Sequence, residues 1–239
     1  MHNLVDLHTH SVFSKHAYSS ITENIKEALD KGLLFYGISD HQADRLSFGA
    51  DKEVFYNLKV IPELVDNLHI LKGVEMNVGE YFKDWIDFYN RRVEYAIGSI
   101  HSYDHGYHHT KEENTNYYLE AIKEPLIKIL GHIDDGTNPC DYDVVIRACK
   151  ENKTLIELNN SSLNPRGCRL NSYENMKEII KICKEIKCPV IMNSDAHIMY
   201  DVGNVDRVYE LAKELNLEDE LIANINTEII KEYFFNSNK

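Results

Sequence analysis

Short apolar runs along this 239-residue chain keep ending on residues that bind transition metals, and that recurrence restricts the fold more than any other feature. The runs close on His8 and His10 in VDLHTH, with His16 just beyond, on His41 in GISDH, Glu75 in LKGVE, His101 in AIGSIH, His132 in ILGH, and on Asp195 with His197 in IMNSDAH. Surface histidines scattered at random would not keep landing in one context. Parallel strands closed into a barrel bring side chains at many carboxyl ends into one pocket, whatever their separation in sequence. The positions therefore predict an α/β barrel with its site at one end.

The rest of the pattern agrees. Short apolar segments alternate with longer amphipathic ones, as repeated βα units require. Seven strands are expected, at Leu4–Leu7, Phe35–Ser39, Leu68–Val74, Tyr95–Ile100, Ile127–Gly131, Thr154–Asn159 and Pro189–Asn193. Ser20 to Lys31 reads as a helix, with Ser20 and Glu23 at capping-box spacing, an apolar stripe of Ile21, Ile25, Ala28 and Leu29, and Gly32 at its end. Ser172 precedes a second helix whose Met176, Ile179, Ile180 and Cys183 share a face. The stripes are core positions. The carboxyl-terminal FFNSNK is expected to fray.

Composition bounds the function classes. Residues 1–239 are read as one domain, a length α/β barrels reach as a single unit. No run is long and apolar enough to span a membrane, and MHNLVDLH enters a strand at once without a secretory pattern, so a cytoplasmic protein with no membrane partner is expected. Cys140, Cys149, Cys168, Cys183 and Cys188 are odd in number and never in a C-x-x-C pair, and read as reduced thiols. A formal charge of −13 provides no basic face for nucleic acid, so no nucleic-acid partner is expected. No pattern identifies an oligomeric partner.

His8 and His10 are two apart, so in extended backbone they project from the same side and can share an ion. Asp40-His41 and Asp195-Ala196-His197 place acid and imidazole after strands at opposite ends of the chain. Glu75 ends another run, and its carboxylate can bridge two cations. A structural zinc site would close four positions with Cys and His, whereas this array contains no cysteine.

With these motifs in order, DLHTHS, SKHAYSS, ISDH, GVEMN, SIH, NT near Asn114, GH at His132, IELNNSS and SDAH, the chain resembles the PHP superfamily (polymerase and histidinol phosphatase), and especially its YcdX-like phosphatases. The resemblance spans nearly the whole chain and implies a distorted (β/α)7 barrel, the PHP fold, with three divalent metal ions. Zinc is the first expectation, with manganese or iron also compatible with such ligands. Carried over, it implies one metal on His8, His10, Glu75 and Asp195, a second on Glu75, His101 and His132, and a third on His16, His41 and His197. The chain departs from the pattern at GHIDD, where many YcdX-like sequences read HPG, which leaves the ligand but alters the loop.

Three divalent cations against two carboxylates would leave a formal charge of about +4, a strong attractor for a phosphate dianion. The expected reaction is hydrolysis of a phosphate monoester of a small metabolite by metal-activated hydroxide, without a phosphoenzyme, with Asp195, Glu75 and His197 as the catalytic residues. Arg166, which the resemblance favours, and Arg169 are the candidate phosphate-binding side chains. Asp6 and Asp40 are expected to orient imidazoles, Asp40 alternatively to support a turn, and Ser161 and Ser162 to cap. His105, His108 and His109 read as a surface loop that could form a lid; His2 and His69 read as structural or surface residues. The alternatives are a PHP-type histidinol phosphatase and a phosphodiesterase or nuclease of the same superfamily.

Overall fold

The computed structural model describes residues 3–43, 48–101, 109–167 and 169–235. His2, His105, His108, Cys168 and the last four residues of the FFNSNK tail lie outside the described residues.

The seven expected strands form, each within a few residues of the expected limits: β1 (Val5–Asp6), β2 (Phe35–Ile38), β4 (Leu68–Asn77), β5 (Tyr95–Ser99), β6 (Ile127–Leu130), β7 (Leu155–Asn159) and β8 (Val190–Asn193). An additional two-residue strand, β3 (Leu64–Val65), pairs antiparallel with β4 through the turn at Asp66, whose φ is 53°. The other strands are parallel in the order β1-β2-β4-β5-β6-β7-β8. β1 meets β8 through a parallel bridge from Thr9 to Ala196 and through the Leu7 amide, which donates to Asn193 Oδ1 at 2.9 Å. The sheet is thus nearly closed into a barrel.

Helices return the chain between strands. Helix α1 (Ile21–Asp30) begins with the expected capping box, Ser20 accepting from the Glu23 amide and Glu23 from the Ser20 amide, and Gly32 follows it at φ 73°. A helix over Ser172–Ile186 buries Met176, Ile179, Ile180 and Cys183 against the barrel, as their spacing requires. Cys140, Cys149, Cys183 and Cys188 are free and buried.

Alternation along the strands separates two faces. Val74, Met76, Ala96, Leu130, Ile156, Leu158, Val190 and Met192 face outward into a core shared with the helices. Val5, Leu7, Phe35, Leu71, Tyr95, Ile97, Ile129, Leu155 and Ile191 fill the interior. Towards the carboxyl ends the interior turns polar, with Glu75, Ser99, Glu157, Asn159 and Asn193 all buried. The amino-terminal mouth is stopped by the end of the chain: Ile229, Ile230 and Tyr233 join the interior cluster, and the Phe234 ring lies 5.5 Å from Tyr95. The Phe234 and Phe235 rings have apolar neighbours, Tyr95 and Phe35, that the polar residues beside them in sequence conceal.

Tyr95 crosses the barrel and donates from its hydroxyl to the Leu7 carbonyl at 2.6 Å. It fits because Gly37 and Gly73 have no side chain: a Cβ on Gly37 would lie 2.0 Å from Tyr95 Oη and 2.8 Å from Leu7 Cα. Gly37→Ala must displace the ring or the β1 backbone, and is expected to cost roughly 1–3 kcal/mol of stability by overpacking. Thermal unfolding checks this; an unchanged Tm would contradict the tight interior.

Candidate metal centre

The strand ends, with the loop after β1, bring all nine expected residues to one place. β1 runs into His8 and His10, β2 into His41, β4 carries Glu75, β5 leads to His101, β6 to His132, and β8 to Asp195 and His197. A parallel bridge sets His41 directly beside Glu75. His16 enters from the loop after β1, where its side chain reaches His197.

Glu75 is the centre of the cluster. It is 1% exposed, and its Oε2 lies 2.8 Å from His41 Nδ1, 3.4 Å from His8 Nε2 and 3.5 Å from His10 Nε2. Its Oε1 lies 3.0 Å from His132 Nε2 and 3.3 Å from His101 Nε2. Asp195 Oδ1 stands 3.2 Å from His10 Nε2 and 3.6 Å from His8 Nε2. Two backbone positions here are left-handed without being glycine, His132 at φ 32° and Asp195 at φ 55°. Such strain persists where the surroundings over-determine it, and it concentrates at functional sites.

The backs of the imidazoles decide what their fronts can do. His8 Nδ1 donates to Glu157 Oε1 at 2.7 Å, His16 Nδ1 to the Ser14 carbonyl at 2.7 Å and His197 Nδ1 to the Asp195 carbonyl at 3.0 Å. His101 Nδ1 donates to Asn77 Oδ1 at 3.3 Å, and His10 Nδ1 to Ser14 Oγ at 3.2 Å, whose own proton goes to Asp40. In the neutral ring each such bond leaves a lone pair on Nε2, aimed inward. His16 Nε2 and His197 Nε2 face each other at 2.8 Å, two acceptors that repel unless a cation or proton lies near them. The buried His8 Nε2 and His10 Nε2 face the Glu75 and Asp195 carboxylates, and the buried His41 Nδ1 faces that of Glu75, at 2.8–3.6 Å.

This donor set fits divalent transition metals: five of the seven imidazoles are oriented from behind, with carboxylates between them. Among the described residues, three groups could each hold an ion: His8, His10 and Glu75; His41, Glu75 and His101; and His10, His41 and His197. The resemblance allots His41 to the His16 and His197 position; in the structure His41 reaches both that position and Glu75.

Electrostatics favour the same ligands. Burial, reinforced by His197 and His41, lowers the His10 pKa to about 3, and burial lowers that of His41 to about 4, so both are neutral and available at pH 7. Burial opposes charge on His8, but Glu157, Glu75 and Asp195 outweigh it and raise its pKa well above the usual value. Burial likewise opposes charge on Glu75, yet His8, His41 and His101 hold its pKa well below the carboxylate range. The pocket attracts positive charge, whether proton or metal.

Several neighbouring positions depart from expectation. Asp6 does not orient an imidazole: it accepts from the Ser194 hydroxyl and amide and from the Gly203 amide, securing the turn before Asp195. Asp40 accepts from Ser11 and Ser14 and so supports the turn, reaching His10 only through Ser14. The carboxylate that orients His8 is Glu157, which sequence reasoning did not single out; the signal was a lone acid in the apolar strand LIELN, in phase with the inward Leu155 and Asn159. Arg169, not Arg166, reaches the cluster. Its Nη2 donates to Asp195 Oδ2 at 2.9 Å and its Nη1 to Asn159 and Ser162, whereas Arg166 lies in an exposed turn. Ser162 thus seats Arg169, while Ser161 begins a short 3-10 turn. His109 packs against Tyr117, and exposed His69 stacks on Phe35.

A nearly closed parallel barrel with a buried cluster of imidazoles and carboxylates at its carboxyl-terminal mouth defines the class of protein. The PHP domain family model matches residues 6–163, and the chain belongs to that family. It is 37% identical over 96% of its length to a probable phosphatase of Acetivibrio thermocellus, covering 94% of that protein. It is 36% identical over 98% of its length to a probable phosphatase of Clostridium acetobutylicum, covering 95% of it. Among solved structures, histidinol phosphate phosphatase from Lactococcus lactis, complexed with zinc, L-histidinol and phosphate, superposes with a TM-score of 0.65 at 18% identity, covering 90% of this chain and 95% of that one. An archaeal ribonuclease P complexed with mature tRNA contains a chain that matches with a TM-score of 0.59 at 18% identity, covering 97% of this chain and 88% of that one. These two likenesses show the fold. No described helix is long and apolar enough to cross a membrane.

Proposed function

We propose that this PHP-domain protein is a metal-dependent phosphatase that hydrolyses a phosphate monoester of a small metabolite, at a centre holding three divalent cations. The observation that carries the reading is the convergence of five imidazoles on the buried Glu75 carboxylate, with the rings of His8, His10, His16, His101 and His197 anchored from behind. Full-length relatives named probable phosphatases support the reaction class.

His8, His10, Glu75 and Asp195 would hold one cation, Glu75, His101 and His132 a second, and His16, His41 and His197 a third. When bound, the cations would supply Lewis acidity, lowering the pKa of a water and offsetting charge on a phosphoryl group. Glu75 presents one oxygen to each side of the cluster, so it can keep two positions at fixed separation. Arg169 holds Asp195 with one N–H and, being 17% exposed, can present others to a phosphate oxygen. We therefore assign phosphate contact to Arg169 rather than Arg166. Zinc is the metal we expect first, by its presence in the Lactococcus lactis complex. The net charge of −13 favours a small substrate attracted locally over a nucleic-acid strand.

The test is phosphate release by protein reconstituted with zinc or manganese, across phosphomonoesters that include histidinol phosphate, with a bis-ester control. Selective monoester turnover that a chelator abolishes and metal restores is expected. Diester cleavage alone, or no turnover by protein shown to carry metal, would overturn the reading.

A further inference from the structure

The Glu157 carboxylate is fully enclosed in the barrel and accepts four hydrogen bonds from three strand ends besides its own. Oε1 receives His8 Nδ1 at 2.7 Å and Asn193 Nδ2 at 2.9 Å. Oε2 receives the His132 backbone amide at 2.8 Å and Asn159 Nδ2 at 2.9 Å. An ionised carboxylate has acceptor sites for all four. The links continue outward: Asn193 also accepts from the Leu7 amide, and Asn159 also donates to Asp195 Oδ2 at 3.2 Å.

We infer that Glu157 is a positioning residue that sets two of the proposed metal positions at once, by fixing the proton of His8 on Nδ1 and by clamping the strained backbone of His132. The inference rests on the proposal that the cluster binds metal. His8 is turned by Oε1 so that Nε2 faces Glu75 and Asp195. His132 owes its inward direction to a backbone at φ 32°, and the Oε2 bond to its amide stabilises that conformation. Because Glu75 touches both imidazoles, one buried acid beneath the site registers the positions that a second acid would bridge.

Glu157→Gln separates this role from simple filling of space. The amide is nearly isosteric but has one acceptor and one donor end. Whichever way it faces, its NH2 opposes either the His8 and Asn193 donors or the His132 and Asn159 donors. Removing such a partner typically weakens metal binding about 10–100-fold.

The experiment uses the full chain, zinc as the probe, competition with a chromophoric chelator, and nitrogen-15 spectra of the histidine side chains. In the unaltered protein, a proton on His8 Nδ1 is expected both without metal and with zinc, and E157Q should bind zinc about 10–100-fold more weakly while keeping its far-ultraviolet dichroism. Zinc affinity unchanged in E157Q, or His8 bare of a proton on Nδ1 in the unaltered protein, would overturn the inference. If E157Q fails to fold, the spectrum of the unaltered protein decides. Unaltered protein that binds no zinc would sink the metal reading instead, and the role of Glu157 towards His8 would still be read from the Nδ1 proton.

Discussion

Glu75→Gln is expected to lower kcat/KM at least about a thousandfold, the equivalent of several kcal/mol of lost metal-assisted stabilisation. The substitution keeps the shape of a side chain that is 1% exposed, so the barrel should persist. It removes the charge on which five imidazoles converge and places an amide NH2 against nitrogens at 2.8–3.5 Å. An amide nitrogen is no metal ligand, so at least one of the proposed positions loses its bridge. Steady-state kinetics paired with elemental analysis check both consequences. A variant with unaltered metal content and more than a tenth of the original activity would remove Glu75 from the centre.

Asp195→Asn should be nearly as damaging to turnover, again by about a thousandfold, while separating charge from backbone geometry. Asp195 sits at φ 55°, a conformation asparagine adopts more readily than most residues, so the turn after β8 is retained. What changes is the electrostatics. Oδ1 faces His10 and His8 and Oδ2 holds Arg169, and burial is outweighed by His8 and Arg169 so that the carboxyl stays ionised. With a neutral amide, Arg169 loses its counter-charge. A stability loss of about 1–3 kcal/mol should accompany the kinetic defect, as for a buried group deprived of its partner. Denaturant unfolding measures the first and phosphate release the second; full activity in this variant would refute a catalytic role for Asp195.

The barrel and the cluster were legible because both are periodic. Strands with inward apolar residues announce themselves by composition and length, and parallel closure makes their ends converge without any need to know the loops. β3 was not legible: Leu64 and Val65 are too few for a pattern, and their pairing depends on the turn at Asp66. The site's supporting residues were harder still. Asp6 and Glu157 are both buried acids on strands of the barrel, and adjacency in sequence favours Asp6 as the partner of His8. The structure places Glu157 against the imidazole instead, across 149 residues, because neighbours in a barrel interior are set by register between strands. Arg169 is seated by a Ser162 hydroxyl and an Asn159 amide oxygen that no local pattern connects to it rather than to Arg166.

The seam between the first and last strands has a consequence for how the molecule is made. β1 leaves a ribosome before the other strands of the barrel, yet several of its partners come late: Leu7 bonds to Asn193, Asp6 to Ser194 and His8 to Glu157. Contacts of such separation raise contact order and delay folding until the far partner exists. A nascent chain ending before β8 would hold His8 and His10 without Asp195 and His197. The cluster is therefore gathered only after β8 has been made, and a polypeptide that stops short of it carries scattered imidazoles in place of a pocket.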